Sequence, residues 1–238
     1  MHNVLAIARK EFRSYFASVI AYIFITLFLA VSGWLFMSGF FLLGQASLRP
    51  FFSFLPWMFL VFVPAVTMRL WAEEKKLGTI ELLMTFPVRD WEVVLGKYLA
   101  ALAFLGVALG LSFPLALTAA YVGDPDWGAI FGGYAGALLL GAAYLAIGVF
   151  VSSLTENQIV AFLLSVVLCF ALFIIGEEFV LFRVPEVLRG FLYYLSLGPH
   201  FESMGRGVLD TRDLVYYASL IGFFLFLNAR SVESRKWR

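Results

Sequence analysis

The sequence holds one cysteine, Cys169, and two histidines, His2 and His200. One cysteine excludes an internal disulfide and a thiolate metal cluster, and Cys169, inside an apolar run, reads as a small packing residue. The H-E-x-x-H pattern of a zinc protease is missing, and the apolar runs offer no His or Lys base beside a buried serine. No G-x-x-x-x-G-K-S/T occurs, so the chain has no phosphate-cradling P-loop; Gly96-Lys97 is followed by Tyr98 and lacks an upstream glycine framework. Charge is scarce too: 14% of residues are charged, against about 25% in soluble domains. A net charge of +1 gives no global field to attract nucleic acid. No catalytic residue, metal site or cofactor site is expected in this chain.

What the chain does have is apolar bulk, 62% of its 238 residues, including 27 Phe. A soluble core cannot absorb that much, because surface area limits burial, whereas lipid can. Charges divide the sequence into uncharged stretches at 14–48, 50–68, 98–123, 127–155, 157–176 and 214–229. A helical span needs about 20 apolar residues, range about 17–25. The first five qualify outright. The sixth is short and leans on Arg230, which can snorkel. Spans are expected near 19–43, 51–70, 94–122, 129–152, 158–176 and 211–229. Backbone groups in lipid must be satisfied within the segment, so the spans are helices. A β-barrel would need alternating strands of about ten residues, which continuous runs exclude. The expected fold is an all-α integral membrane domain covering 1–238.

Six spans put both termini on one side. That side carries twelve Lys and Arg, from Arg9, Lys10 and Arg13 through Arg69, Lys75, Lys76, Arg89 and Lys97 to the C-terminal cluster. The other side carries five: Arg49, Arg183, Arg189, Arg206 and Arg212. The positive-inside rule makes the first side cytoplasmic. The N-terminal apolar run extends to Leu43, longer than a signal-peptide core of about 7–15 residues, so it reads as an uncleaved span. Residues 4–16 form an amphipathic helix. Val4, Ala8, Phe12 and Tyr15 share a face, Arg9, Lys10 and Arg13 lie opposite, and Glu11 sits near the apolar edge. The helix suits the membrane surface and anionic headgroups, or serves only as a basic flank of span one.

Residues 71–100, WAEEKKLGTIELLMTFPVRDWEVVLGKYLA, carry the densest signals. Glu73, Glu74, Lys75 and Lys76 end one helix. Gly78 breaks it and Thr79 can cap another, with Glu81 suited to its N-terminal dipole. Ile80, Leu82, Leu83, Met84 and Phe86 give that helix apolar bulk, and Pro87 ends it. Asp90 can cap the helix of span three. Such an apolar cluster in a loop marks a contact with a partner, or packing on its own bundle.

This stretch resembles the coupling-helix region of type-2 ABC transporter permeases: Glu73-Glu74, Gly78-Thr79, Ile80-Glu81-Leu82-Leu83, Pro87 and Gly96-Lys97 follow the family's pattern. Residues 152–165, SSLTENQIVAFLLS, resemble its turn between spans four and five. Residues 197–220, LGPHFESMGRGVLDTRDLVYYASL, resemble the approach to the last span in gliding-motility and copper-enzyme-maturation members. Trp71-Ala72 departs from the pattern, since many members carry another charge there. The resemblance implies an elbow helix at 4–16, a coupling helix at 78–86, and ATPase contacts through Glu73, Glu74, Gly78, Thr79, Ile80, Glu81, Leu82, Leu83 and Phe86. It implies an exporter permease in a bacterial or archaeal cytoplasmic membrane. Its partners would be a second permease copy, as a homodimer or related heterodimer, and two ATPase subunits that bind ATP and Mg.

Residues 177–210 alternate charge with apolar bulk, which suits short helices on the outer leaflet. Glu177, Glu178, Arg183 and His200 are the candidates there for a gate or outer-segment role; Glu177 and Glu178 either line an exit path or are solvated or paired with Arg183. The Glu177-Glu178 pair resembles CAAX-processing membrane proteases only superficially, with one residue too many before Arg183. Pro56, Pro64 and Pro114 can kink their spans, and the glycines of span four permit close packing. A second functional reading is mechanical: the bundle would relay ATPase motion to an extracytoplasmic accessory protein without conducting a substrate.

Overall fold

The computed structural model describes residues 2–43, 47–79, 88–208 and 210–234. Regular structure among them is helical throughout: α1 (His2–Ala17), α2 (Val19–Leu43), α3 (Arg49–Thr67), α4 (Arg69–Lys76), α5 (Asp90–Leu111), α6 (Pro114–Val122), α7 (Trp127–Leu154), α8 (Gln158–Ile174), α9 (Glu178–Leu181), α10 (Glu186–Leu195), α11 (Leu197–Gly205) and α12 (Thr211–Glu233). Five stretches are long and apolar enough to cross a membrane: Val19–Gly39, Arg49–Lys76, Asp90–Val122, Trp127–Leu154 and Thr211–Glu233. The apolar α8 has 17 residues. At about 1.5 Å per residue it is at the short limit for a span.

These boundaries shift three expectations. The helix of span two runs past Leu70 through α4 to Lys76, with only a turn at Met68, whose N–H donates to Pro64 O at 2.8 Å. Span three begins at Asp90 and breaks before Pro114. Proline cannot donate, so Gly110 O takes the Phe113 N–H instead at 3.1 Å, and the chain restarts as α6. The sixth span, short by its apolar run, is a helix of 23 residues; polar contacts extend it, with Asp210 accepting from Arg212 N at 2.9 Å and Arg230 paired to Glu233 at 2.8 Å. Among the helices at the six expected spans, the shortest is that of the fifth, α8.

Helix α7 is the centre of the bundle, touching α3, α5, α8, α11 and α12. Its small residues let the neighbours in. A Cβ at Gly133 would lie 2.3 Å from Phe52, one at Gly141 2.3 Å from Leu105, and one at Gly148 2.1 Å from Thr67. These glycines are packing positions. The outer segment divides in two. Helix α11 buries Leu197, Phe201 and Met204 in the core, whereas α9 and α10 bury no residue.

Candidate functional site

The charged end of α4 is held from three sides. The turn at Met68 leaves the first N–H groups of α4 without helical partners. Ser152, at the end of α7, supplies them: its hydroxyl accepts from Trp71 N at 3.1 Å and Ala72 N at 3.2 Å, and donates to Met68 O at 2.9 Å. Lys75 is buried and its ammonium donates to Ser153 O. Ser153 Oγ in turn lies 3.0 Å from Ser231 Oγ of α12. The 152–165 stretch therefore meets the 71–79 stretch at this turn.

The third side is Lys97, which is 1% exposed. Its ammonium lies 2.6 Å from Glu74 Oε1, 3.4 Å from Glu11 Oε1, and 5.1 Å from the centroid of the fully buried Trp71 ring. A buried ammonium is tolerated only with such partners. One residue earlier, Gly96 seats α1: a Cβ there would lie 2.6 Å from Ile7 Cγ2. The Gly96-Lys97 pair thus lets α1 approach and then ties it to α4. Farther along α1, Asn3 Nδ2 donates to Glu92 Oε2 at 3.2 Å, and Arg89 N donates to the same oxygen at 3.0 Å. These two donors fix the Glu92 carboxylate in the first turn of α5. Arg89, not Asp90, is the N-cap of α5; Asp90 is the first helical residue.

The apolar face predicted for α1 is real and rests on α5. Val4 and Tyr15 are buried, and Tyr15 stacks on Phe104 at 5.0 Å. Arg9, Lys10 and Arg13 are exposed. Helix α4 ends at Gly78, whose φ of +70° is the left-handed conformation glycine adopts freely. The Thr79 hydroxyl donates back to Glu74 O at 3.3 Å. Ile80, Glu81, Leu82, Leu83 and Phe86 lie outside the described residues.

At the opposite end is a cleft of about 530 Å³. Arg49, Trp57, Phe173, Glu177, Glu178, Tyr193, Glu202 and Arg206 are among its lining residues. Glu202 and Arg206 pair at 3.7 Å, both exposed. Glu177 is half-buried and Glu178 exposed, and among the described residues neither pairs with Arg183, which is exposed and not part of this lining. His200 lies outside the cleft. It is buried between α11 and α12, with Nδ1 2.7 Å from Asp213 Oδ1, Nε2 donating to Tyr194 O at 3.0 Å, and its ring stacked 4.0 Å from Tyr216. Both ring nitrogens are occupied, so His200 is not placed as a base for a substrate. Among the described residues no group of three or more His, Cys, Asp or Glu converges as metal ligands.

Sequence reasoning missed the partners. Asp213 was unmarked. Glu11 had a signal, a lone acid near an apolar edge, which implies a buried cation opposite. The role of Ser152 had no local signal.

No curated protein matches the sequence significantly. Residues 5–227 match the profile of the ABC-2 family transporter proteins. That match spans nearly every helix described above, from the first turn of α1 to within two turns of the end of α12, so the chain belongs to this family and is a multi-pass membrane permease of an ABC transporter.

Proposed function

We propose that this permease is the membrane subunit of an ATP-driven exporter. Two copies, or this chain and a related one, pair with two ATPase subunits that bind ATP and Mg. The chain itself catalyses nothing. Residues 78–86 form the coupling helix that enters a groove on the ATPase, with Glu73 and Glu74 at its base, and α1 is the elbow helix. Both termini face the cytoplasm of a bacterial or archaeal cell, as the excess of Lys and Arg at that end favours.

The observation that supports this reading is the bracing of α4. Force applied beyond Gly78 reaches α5 through the Glu74–Lys97 pair and α7 through Ser152 and Ser153. A helix bonded to two spans moves them as a body, which suits a rigid-body switch between two states. The cleft with Glu177 and Glu178 is then the extracytoplasmic mouth. His200 holds α11 to α12 through Asp213, and Arg183 is exposed outside the cleft's lining.

A photo-crosslinking residue at Thr79, in the permease co-expressed with its ATPase, tests the assignment. The expected result is a covalent permease–ATPase adduct that the same probe at Val187 of α10 does not give. Adduct at Val187 and none at Thr79 would reverse the orientation and sink the proposal.

A further inference from the structure

A second cleft, of about 440 Å³, opens where α1, the start of α2 and α4 meet. Lys10, Glu11, Ser14, Tyr15, Arg69 and Glu73 line it, with Glu74 and Lys97. Lys97 is satisfied by Glu74 and Glu11. Two charged groups are not. Among the described residues, neither the Arg69 guanidinium nor the Glu73 carboxylate has an ion pair or hydrogen bond, and Arg69 lies over the Tyr15 ring, 5.2 Å from its centroid. Two more polar atoms are buried without a partner: the Tyr15 hydroxyl, in a side chain 4% exposed, and Glu74 Oε2. An unmet buried polar atom costs about 1–3 kcal/mol. Two buried polar atoms and two half-exposed charges of opposite sign at one cleft suit a ligand that supplies both signs of charge.

The place and spacing narrow its chemistry. The cleft sits where the first apolar span begins, at Val19, and where charge first interrupts the second, at Arg69, the level of lipid headgroups. Arg69 and Glu73 are four residues apart on one helix, so they share a face about 6 Å apart along the axis. A simple anion would meet Arg69 but face the Glu73 carboxylate. A phosphate with an ammonium two carbons away meets both. A choline group lacks the N–H that Glu74 Oε2 needs.

We propose that this cleft binds a phosphoethanolamine headgroup, its phosphate on Arg69 and the Tyr15 hydroxyl, its ammonium on Glu73 and the free oxygen of Glu74. The inference rests on the membrane placement of the chain and is independent of coupling through residues 78–86. Lipid titration of the purified full-length permease, read by native mass spectrometry, tests it. Dioleoylphosphatidylethanolamine binds about tenfold tighter than dioleoylphosphatidylglycerol or dioleoylphosphatidylcholine, the factor one charge-assisted hydrogen bond supplies. Tyr15→Phe keeps the stack on Phe104 and the fold, yet lowers this preference severalfold; Glu73→Gln and Arg69→Gln do the same. Added glycerophosphoethanolamine separates the sources: displacement of the lipid assigns the site to a soluble headgroup compound, and no displacement assigns it to the bilayer lipid. Equal or tighter binding of the phosphatidylglycerol, or a preference unchanged in both Tyr15→Phe and Glu73→Gln, overturns the proposal.

Discussion

Lys97 Nζ lies 2.6 Å from Glu74 Oε1, with the lysine side chain 1% exposed and the glutamate 21%. The pair joins the end of span two to the start of span three across 23 residues of sequence. Its loss has an asymmetric cost. Lys97→Met leaves Glu74 and Glu11 facing each other without a cation, and is expected to destabilise the protein by about 3 kcal/mol. Adding Glu74→Leu to Lys97→Met recovers part of that loss, because the orphaned charge goes too. Thermal unfolding in detergent of the two single variants and the double variant checks the sign of the coupling.

Ser152 offers a smaller and cleaner perturbation. Ser152→Ala removes the acceptor of two buried N–H groups and is expected to cost about 1–3 kcal/mol. In proteoliposomes containing the ATPase, ATP hydrolysis is expected to persist while permease movement falls, because α4 comes loose from α7. Unchanged movement with the same loss of stability would show that α4 does not act through this hydroxyl.

Gly96 sets the distance between α1 and α5. Gly96→Leu forces a side chain into Ile7 and is expected to cost about 1–3 kcal/mol through overpacking. The expected signature is local: a cysteine introduced at Val4, in a Cys169→Ala background, becomes reactive to a maleimide when Gly96→Leu is added. Continued protection of that cysteine would show that α1 shifts as a unit instead.

The elements were legible where lipid leaves little choice. Continuous apolar runs had to be helices, and each run marked out near 19–43, 129–152 or 158–176 coincides with one helix to within a few residues. Gly78 was legible because a helix end needs a left-handed residue. The apolar face of α1 was legible as a period, but what covers it was not, since its contacts on α5 lie 86 to 89 residues away. The same limit hid the His200–Asp213 pair and the service Ser152 gives to the turn at Met68. Both are satisfied by groups from another helix, and spacing along the chain carries no sign of them. The 16 uncharged residues before Arg230 understated α12 for a related reason, because capping and ion pairing by charged residues extend a helix that hydropathy cuts short.

On the proposed function, residues 78–86 carry the ATPase's motion into a braced bundle. The double substitution Glu81→Arg with Leu82→Asp puts that role to the test, in permease co-expressed with its ATPase and reconstituted into liposomes. The variant permease is expected to fold with unchanged thermal unfolding, yet no longer to co-purify with the ATPase and to lose ATP-driven transport. Retention of both association and transport by a fully folded variant would contradict it.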